Sequence, residues 1–260
     1  MLTSLLVNHR VDLKDCSIFY EQGGVNSSLT PILFLHGWGI STEPDHEILE
    51  LLAQQHSLIA PDLPSFARSP YPQVIPDYES YAKFILSFLE TLNIKQVHVV
   101  GHSLGGGIAI ALSNECPDKV RSLVLVDSTG VPSASIPEII PRRAIEMTAQ
   151  ISIPKLKLQL VDIPQVFSHN LLFNTGNVIQ ALLISLQKDI RHLLPTITAP
   201  CLLLWSEKDL TTPLTIAQEM ARMIPSSKLV TVEEGWHEWG LWYPEKFTSI
   251  VLDFIHQVEQ

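Results

Sequence analysis

Three residues far apart in the chain have the types needed to cut an acyl bond. Ser103 lies in Gly101-His102-Ser103-Leu104-Gly105, a G-x-S-x-G stretch with the strand-like run VHVV before it and the helix-like run IAIALSNE after it. A serine raised on a tight strand-to-helix turn can attack a carbonyl, but its hydroxyl is too weak an acid to do so alone and needs a histidine base oriented by a carboxylate. Such a turn is followed in the chain by the acid and then by the histidine. Asp209, in LLLWSEKDLTTP, and His237, in VEEGWHEW, stand in that order, each just beyond a strand-like run. Alone, Asp209 reads equally well as a loop residue before a helix, and His237 as a half-buried loop histidine. Their placement at successive strand ends favours the chemical reading. Asp127 ends another such run, RSLVLVD, and is a second candidate acid. Hydrogen bonding within its turn suits it better, so Asp209 is the expected acid.

Negative charge developing on the attacked oxygen calls for fixed donors. One is the backbone N–H of Leu104, at the positive end of the helix behind the serine. The other is expected from Trp38, in His36-Gly37-Trp38-Gly39 after the run PILFLHG. His36 is given a supporting role, holding that loop by hydrogen bonds, with Gly37 letting the backbone turn. Gly105, Gly106 and Gly107 open the helix at a cost of about 1 kcal/mol each relative to alanine. The turn explains them, since side chains at Gly101 or Gly105 would collide across it. A dinucleotide fingerprint is excluded: its second glycine position is Ser103, and the turn follows a late strand. The histidines lack metal-ligand spacing, so no metal is expected.

These residues need a frame that brings strand ends together. The chain has 260 residues, 46% hydrophobic and 17% charged, enough to bury a substantial core. Residues 3–9 and 16–22 read as a leading hairpin, and 31–37, 56–62, 95–101, 121–127, 200–209 and 228–234 as later strands. The interior runs are continuously apolar, as strands of a parallel sheet are when helices cover both faces. Asp77 can cap a helix with the stripe Phe84, Ile85, Phe88, Leu89 and Leu92, and 105–115, 214–223 and 245–258 also read as helices. The class is α/β. A net charge of −10 argues against nucleic acid or an anionic membrane as partner. Cys16, Cys116 and Cys201 suggest neither a disulfide framework nor a zinc site. The N-terminus lacks a leader pattern and no apolar run approaches the length of a membrane span, so a cytoplasmic protein is expected.

Residues 131–190 interrupt the alternation. Pro132, Pro137, Pro141, Pro154 and Pro164 exclude one long helix but permit short ones, and Val178, Leu182, Leu186 and Ile190 form a later stripe. We expect a helical insertion there, a cap on a core made of 1–130 and 191–260, standing over the sheet edge where open α/β sheets bind ligands. Its Ile and Leu content suggests an apolar acyl pocket. Its five basic residues (Arg142, Arg143, Lys155, Lys157, Lys188) nearly balance its four acidic ones (Glu138, Glu146, Asp162, Asp189). The plain reading is a solvated surface. The sharper one turns the four cations before residue 160 outward, to meet an acidic acyl carrier.

HGWG at 36–39, PDLPSFARS at 61–69, GHSLGG at 101–106, the Asp209 strand end and GWHEW at 235–239 occur in the order seen in the α/β-hydrolase family, which the chain resembles over nearly its whole length. The resemblance implies an eight-stranded, mostly parallel sheet, a helical cap and no cofactor. One departure is Ser65 and Ala67, which replace both glycines of the family's D-x-P-G-x-G-x-S loop and leave its shape open.

The resemblance also weighs chemistries. Dehalogenases and epoxide hydrolases of this family carry an aspartate at the elbow, where this chain has Ser103. Hydroxynitrile lyases carry a lysine beside the histidine, where Glu238 stands. Carbon–carbon bond hydrolases stay open, although their tryptophan directly after the histidine is displaced to Trp239. The HGWG and GHSLGG pair is also similar to that of carboxylesterases that demethylate pimeloyl esters on an acyl carrier protein. The expectation is a serine hydrolase cleaving a small apolar carboxylic ester through an acyl-enzyme. Hydrolysis of a carrier-bound methyl ester or thioester is an alternative, and so is a non-catalytic small-ligand receptor on the same fold. The oligomeric state is left undetermined.

Overall fold

The computed structural model describes residues 4–25, 29–132, 134–150, 165–170 and 172–260. Its strands are β1 (Leu6–Asp12), β2 (Ser17–Gly23), β3 (Ile32–Leu35), β4 (Leu58–Pro61), β5 (Val97–His102), β6 (Val120–Val126), β7 (Cys201–Ser206) and β8 (Ser227–Val232). Among the described residues they form one eight-stranded sheet in the order β1-β2-β4-β3-β5-β6-β7-β8. β2 runs antiparallel to β1 and β4, and every other pairing is parallel. The connections carry α1 (His46–Ala53), α2 (Tyr78–Thr91), α3 (Leu104–Glu115), α4 (Ile136–Gln150), α5 (Thr175–Gln187), α6 (Leu214–Met223), the short α7 (Trp239–Trp242) and α8 (Pro244–Glu259).

Short apolar runs make the interior strands because both of their faces are covered. In β3, Ile32 and Phe34 pack with Ile48, Leu49 and Leu52 of α1 and Phe247 and Val251 of α8. Leu33 and Leu35 face the opposite cluster, with Tyr81 and Ile85 of α2 and Ile108 and Leu112 of α3. Asp77 caps α2, its carboxylate accepting from the Ser80 N–H at 2.8 Å. The hairpin begins later than expected. Leu13 N–H donates to the Cys16 carbonyl at 2.7 Å, which closes a turn over Lys14 and Asp15 and lets β1 run to Asp12.

Between β6 and β7 the described helices are short, as the prolines allow, and α4 contains Pro141. The inner face of the next helix departs from the sequence reading. Helix α5 buries Asn177, Val178, Ala181, Ile184 and Leu186 and stops at Gln187, so Ile190 packs from the loop beyond it. Ala181, small enough for close approach, replaces Leu182 on the inner face, and the Tyr78 hydroxyl reaches the Ile184 carbonyl at 3.3 Å. Pro154, Lys155, Lys157, Asp162 and Pro164 lie outside the described residues. Among the described residues no helix is long and apolar enough to cross a membrane.

Ser65 and Ala67 adopt φ of +75° and +42°, the left-handed region that favours glycine. The loop thus follows a glycine path with two L side chains, held by the Ser65 N–H on the Ser69 carbonyl at 2.8 Å and the Ala67 N–H on Asn170 Oδ1 at 2.5 Å. Left-handed backbone costs an alanine about 1–2 kcal/mol, and glycine's looser unfolded chain gives back part of any gain. Ala67→Gly is therefore expected to stabilise the protein by up to about 1 kcal/mol, a rise of about 2–4 °C in melting temperature for a chain of this size. A fall in calorimetry would contradict the strain argument.

Candidate active site

Because β3 and β5 to β8 are parallel, the loops after them open on one edge of the sheet. β5 ends at His102, and Ser103 follows at φ +53°, ψ −115°. A non-glycine residue holds such a conformation only where its surroundings over-determine it. Here the Ser103 N–H donates to the Val126 carbonyl at 3.0 Å, while the Ser103 carbonyl accepts from Gly106 N–H at 2.9 Å and Thr129 N–H at 3.1 Å. The turn is tight enough to require its glycines. A Cβ at Gly101 would lie 2.5 Å from the Gly105 carbonyl oxygen, and one at Gly105 would lie 2.2 Å from that of Leu35.

The structure brings Ser103, His237 and Asp209 together. His237 Nε2 lies 2.9 Å from Ser103 Oγ, and Nδ1 lies 2.8 Å from Asp209 Oδ2. All three side chains are buried. The turn after Asp209 holds its carboxylate: Oδ1 accepts from the Thr211 and Thr212 N–H groups at 2.8 and 2.7 Å, and Oδ2 from Thr212 Oγ1 at 2.6 Å. Burial works against a charged His237, but the attraction of Asp209, with its hydrogen bond and the nearby Glu238, outweighs it and raises the imidazole pKa above its ordinary value.

Leu104 is the first residue of α3, where an N–H has no acceptor within the helix. The loop bearing Gly37 and Trp38 abuts the same point, since a Cβ at Gly37 would come within 3.5 Å of Ser103 Cβ. Trp38 Nε1 donates to the Val178 carbonyl at 2.7 Å, tying that loop to α5. His36 is fully buried and joins two loops: Nδ1 lies 2.8 Å from the Gly37 carbonyl, and Nε2 accepts from the Leu63 N–H at 2.9 Å.

The carboxyl of Asp127 lies beside Asp209 and shares a hydrogen bond with it, but makes none to His237. Its carboxyl accepts from the Ser206 N–H at 2.9 Å and from Trp239 Nε1 at 2.8 Å. Burial and the neighbouring Asp209 push its pKa well above the carboxylate range. His102, next to the serine, sets Nε2 3.0 Å from the His237 carbonyl, and burial, then His237, lowers its pKa to about 4. It stays neutral and ties the elbow to the histidine loop.

One expectation is corrected. Arg143 does not face outward; its guanidinium pairs with Glu238, at 3.1 Å through Nη1 and closer through Nη2, and with Glu146 at 3.3 Å. Two carboxylates offer it more than solvent would. Thr212, His102 and Glu146 were given no site role in the sequence, and Glu238 was named there only as standing where hydroxynitrile lyases carry lysine. An Asp followed by consecutive threonines is a signal for side-chain capping of a turn and could have marked Thr212. The contacts of Glu146 with Leu210 and Thr211 span over 60 residues and leave no local trace.

Comparison with known proteins bears on the whole frame. Residues 30–148 match the family model described as alpha/beta hydrolase fold, and residues 183–246 that described as TAP-like protein. The chain is 26% identical over 265 residues to the uncharacterized hydrolase YugF of Bacillus subtilis (strain 168), covering 95% of this chain and 97% of that one. It is 26% identical over 257 residues to a pimeloyl-[acyl-carrier protein] methyl ester esterase of Neisseria meningitidis serogroup C, covering 92% and 98%. The crystal structure of the esterase RhEst1 from Rhodococcus sp. ECU1013 superposes with a TM-score of 0.80 at 21% identity, covering 98% and 99%.

Proposed function

We propose that the chain, which belongs to the α/β-hydrolase fold family, is a serine hydrolase that cleaves carboxylic esters through an acyl-enzyme on Ser103. The observation that carries this reading is the continuous hydrogen-bond path from Ser103 Oγ through His237 to Asp209, at 2.9 and 2.8 Å. His237 Nε2 takes the hydroxyl proton as Oγ attacks the ester carbonyl. Asp209 keeps the other imidazole proton on Nδ1 and stabilises the imidazolium. The N–H groups of Leu104 and Trp38 receive the oxyanion. His237 returns its proton to the departing alkoxide, then activates the water that releases the acid. The segment 131–190 serves as the cap and supplies the acyl pocket.

Hydrolysis of p-nitrophenyl and methyl esters of graded acyl length tests this function. Turnover of short to medium chains is expected, and none at any length would leave the receptor reading. The acid limb of kcat/KM provides a second check. His237 must be neutral to act as base, and its pKa is raised. Activity is therefore lost as pH falls through a midpoint above about 6.5, the unperturbed histidine value. A flat profile from about pH 5 to 8 with acylation rate-limiting would contradict that role.

A second reading, a methyl ester presented on an acyl carrier, is supported by the similarity to the Neisseria esterase. With Arg143 internally paired, Arg142 is the remaining described cation of α4 for such a partner. Comparing kcat/KM for one methyl ester free and on a carrier protein, at low and high salt, separates the two readings. A salt-sensitive preference for the carrier-bound form would favour the second.

A further inference from the structure

Helix α4 reaches both loops that flank the candidate site. Arg143, Glu146 and Gln150 are spaced three and four residues apart, so they share one helix face. Glu146 is fully buried. Its Oε1 accepts from the Leu210 N–H at 2.7 Å, and its Oε2 accepts from Thr211 Oγ1 and from Arg143 Nη1 at 3.3 Å. Leu210 and Thr211 belong to the turn whose Thr211 and Thr212 N–H groups hold Asp209 Oδ1. On the other side, Glu238 directly follows His237. It receives both terminal nitrogens of Arg143, and Gln150 Nε2 at 2.7 Å. One helix face thus grips the turn after the acid and the residue after the histidine.

We propose that α4 is a positioning element for the proposed reaction, with Glu146 as the positioning residue for the Asp209 turn and the Arg143–Glu238 pair as that for the His237 loop. The inference rests on the Ser103–His237–Asp209 reading and extends it to a segment whose described residues make no hydrogen bond to the three side chains. A buried carboxylate with three donors is costly to leave half-paired. When α4 is seated, all of these groups are paired. When it is displaced, Glu146, Arg143 and Glu238 lose partners together, and both loops lose a fixed contact. Seating of α4 and alignment of the site are therefore one event.

Electrostatics supplies a readout that packing alone would not move. His237 faces the charges of Asp209, Glu238 and Arg143, with Glu146 behind Arg143, and Asp127 and His102 beside it; Asp45 shares a cavity of about 10 Å³ with His102, His237 and Glu238. Glu238 favours the imidazolium and Arg143 disfavours it. Removing Arg143 should move the acid limb of kcat/KM to higher pH, and removing Glu238 should move it lower.

The test compares the full-length wild type with Glu146→Ala, Glu146→Gln, Arg143→Met and Glu238→Gln. For each, kcat and KM on a short p-nitrophenyl ester are measured across pH, with the rate of fluorophosphonate reaction and a thermal melt. Glu146→Ala is expected to lower kcat and the labelling rate together by about 10- to 100-fold, with KM nearly unchanged, as for a displacement near 1 Å remote from the reacting atoms. Glu146→Gln, which can still accept from Leu210 N–H, should recover part of the loss. Folded Glu146→Ala with wild-type kcat would overturn the proposal. So would acid limbs that stay in place in both Arg143→Met and Glu238→Gln, a result that decides the matter even where Glu146→Ala fails to fold. A wild type that neither turns over ester nor reacts with the probe defeats the underlying reading; an active wild type with indifferent variants defeats this inference alone.

Discussion

Ser103→Ala is expected to abolish ester hydrolysis, with a loss in kcat of up to about a millionfold, as triad removal does in serine hydrolases. The hydroxyl makes one side-chain contact among the described residues, with His237 Nε2 at 2.9 Å. Alanine keeps the Cβ, and the backbone bonds that impose φ +53° involve the Ser103 N–H and carbonyl only. The fold should survive, with a stability change of about 1 kcal/mol from the single lost hydrogen bond. The measurement is kcat/KM on the best ester, with matched purification of an unrelated variant to exclude contaminating esterase. Retention of more than a few per cent of the activity would remove Ser103 as nucleophile.

Asp209→Asn should cost about 10³- to 10⁴-fold in kcat, and the reason is written in the turn that follows the residue. Oδ1 accepts from two backbone N–H groups, of Thr211 and Thr212, so an asparagine must place its carbonyl oxygen there. Its amide NH₂ then occupies the Oδ2 position, facing His237 Nδ1. That nitrogen becomes an acceptor, the ring proton moves to Nε2, and the base meets Ser103 with its proton already on. Asp127→Asn lacks this effect, because its carboxyl bonds the Ser206 N–H, Trp239 Nε1 and the Asp209 side chain and makes no bond to His237. Burial and Asp209 already favour the neutral acid there, which the amide mimics as one donor and one acceptor, so the variant should keep most of its kcat. The opposite pattern would move the acid to the end of β6.

The elbow was legible because it is local. Gly101, Ser103 and Gly105 lie within one turn, and the steric need for glycine follows from the turn itself. Asp209 and His237 were legible only through their strands: Asp209 follows a continuous apolar run and His237 a strand-like one, and parallel strands deliver their ends to one edge. Where a feature depends on contacts between distant segments, the sequence was silent or misleading. Arg143 reads as a surface cation of the insertion, yet its guanidinium pairs with Glu146 and Glu238. Ser65 and Ala67 look like a break in the loop pattern, but the backbone keeps the left-handed path regardless. Helix α1 escaped notice because its buried face, Ile48, Leu49 and Leu52, is short and flanked by acidic residues. The inner face of α5 was misjudged: Ala181 is fully buried, whereas the stripe had placed Leu182 there.

The central claim is that Ser103 is a nucleophile activated by His237, and the most direct measurement of it is the reaction of the native protein with a fluorophosphonate, followed by intact mass and peptide mapping. The account predicts a single adduct per chain, on Ser103. Formation should slow as pH falls through the raised His237 pKa and be nearly lost in Asp209→Asn. Turnover of a simple ester should disappear in proportion to the adduct formed. A protein that turns over ester while Ser103 stays unmodified, or that is modified at another residue in step with loss of activity, would contradict it.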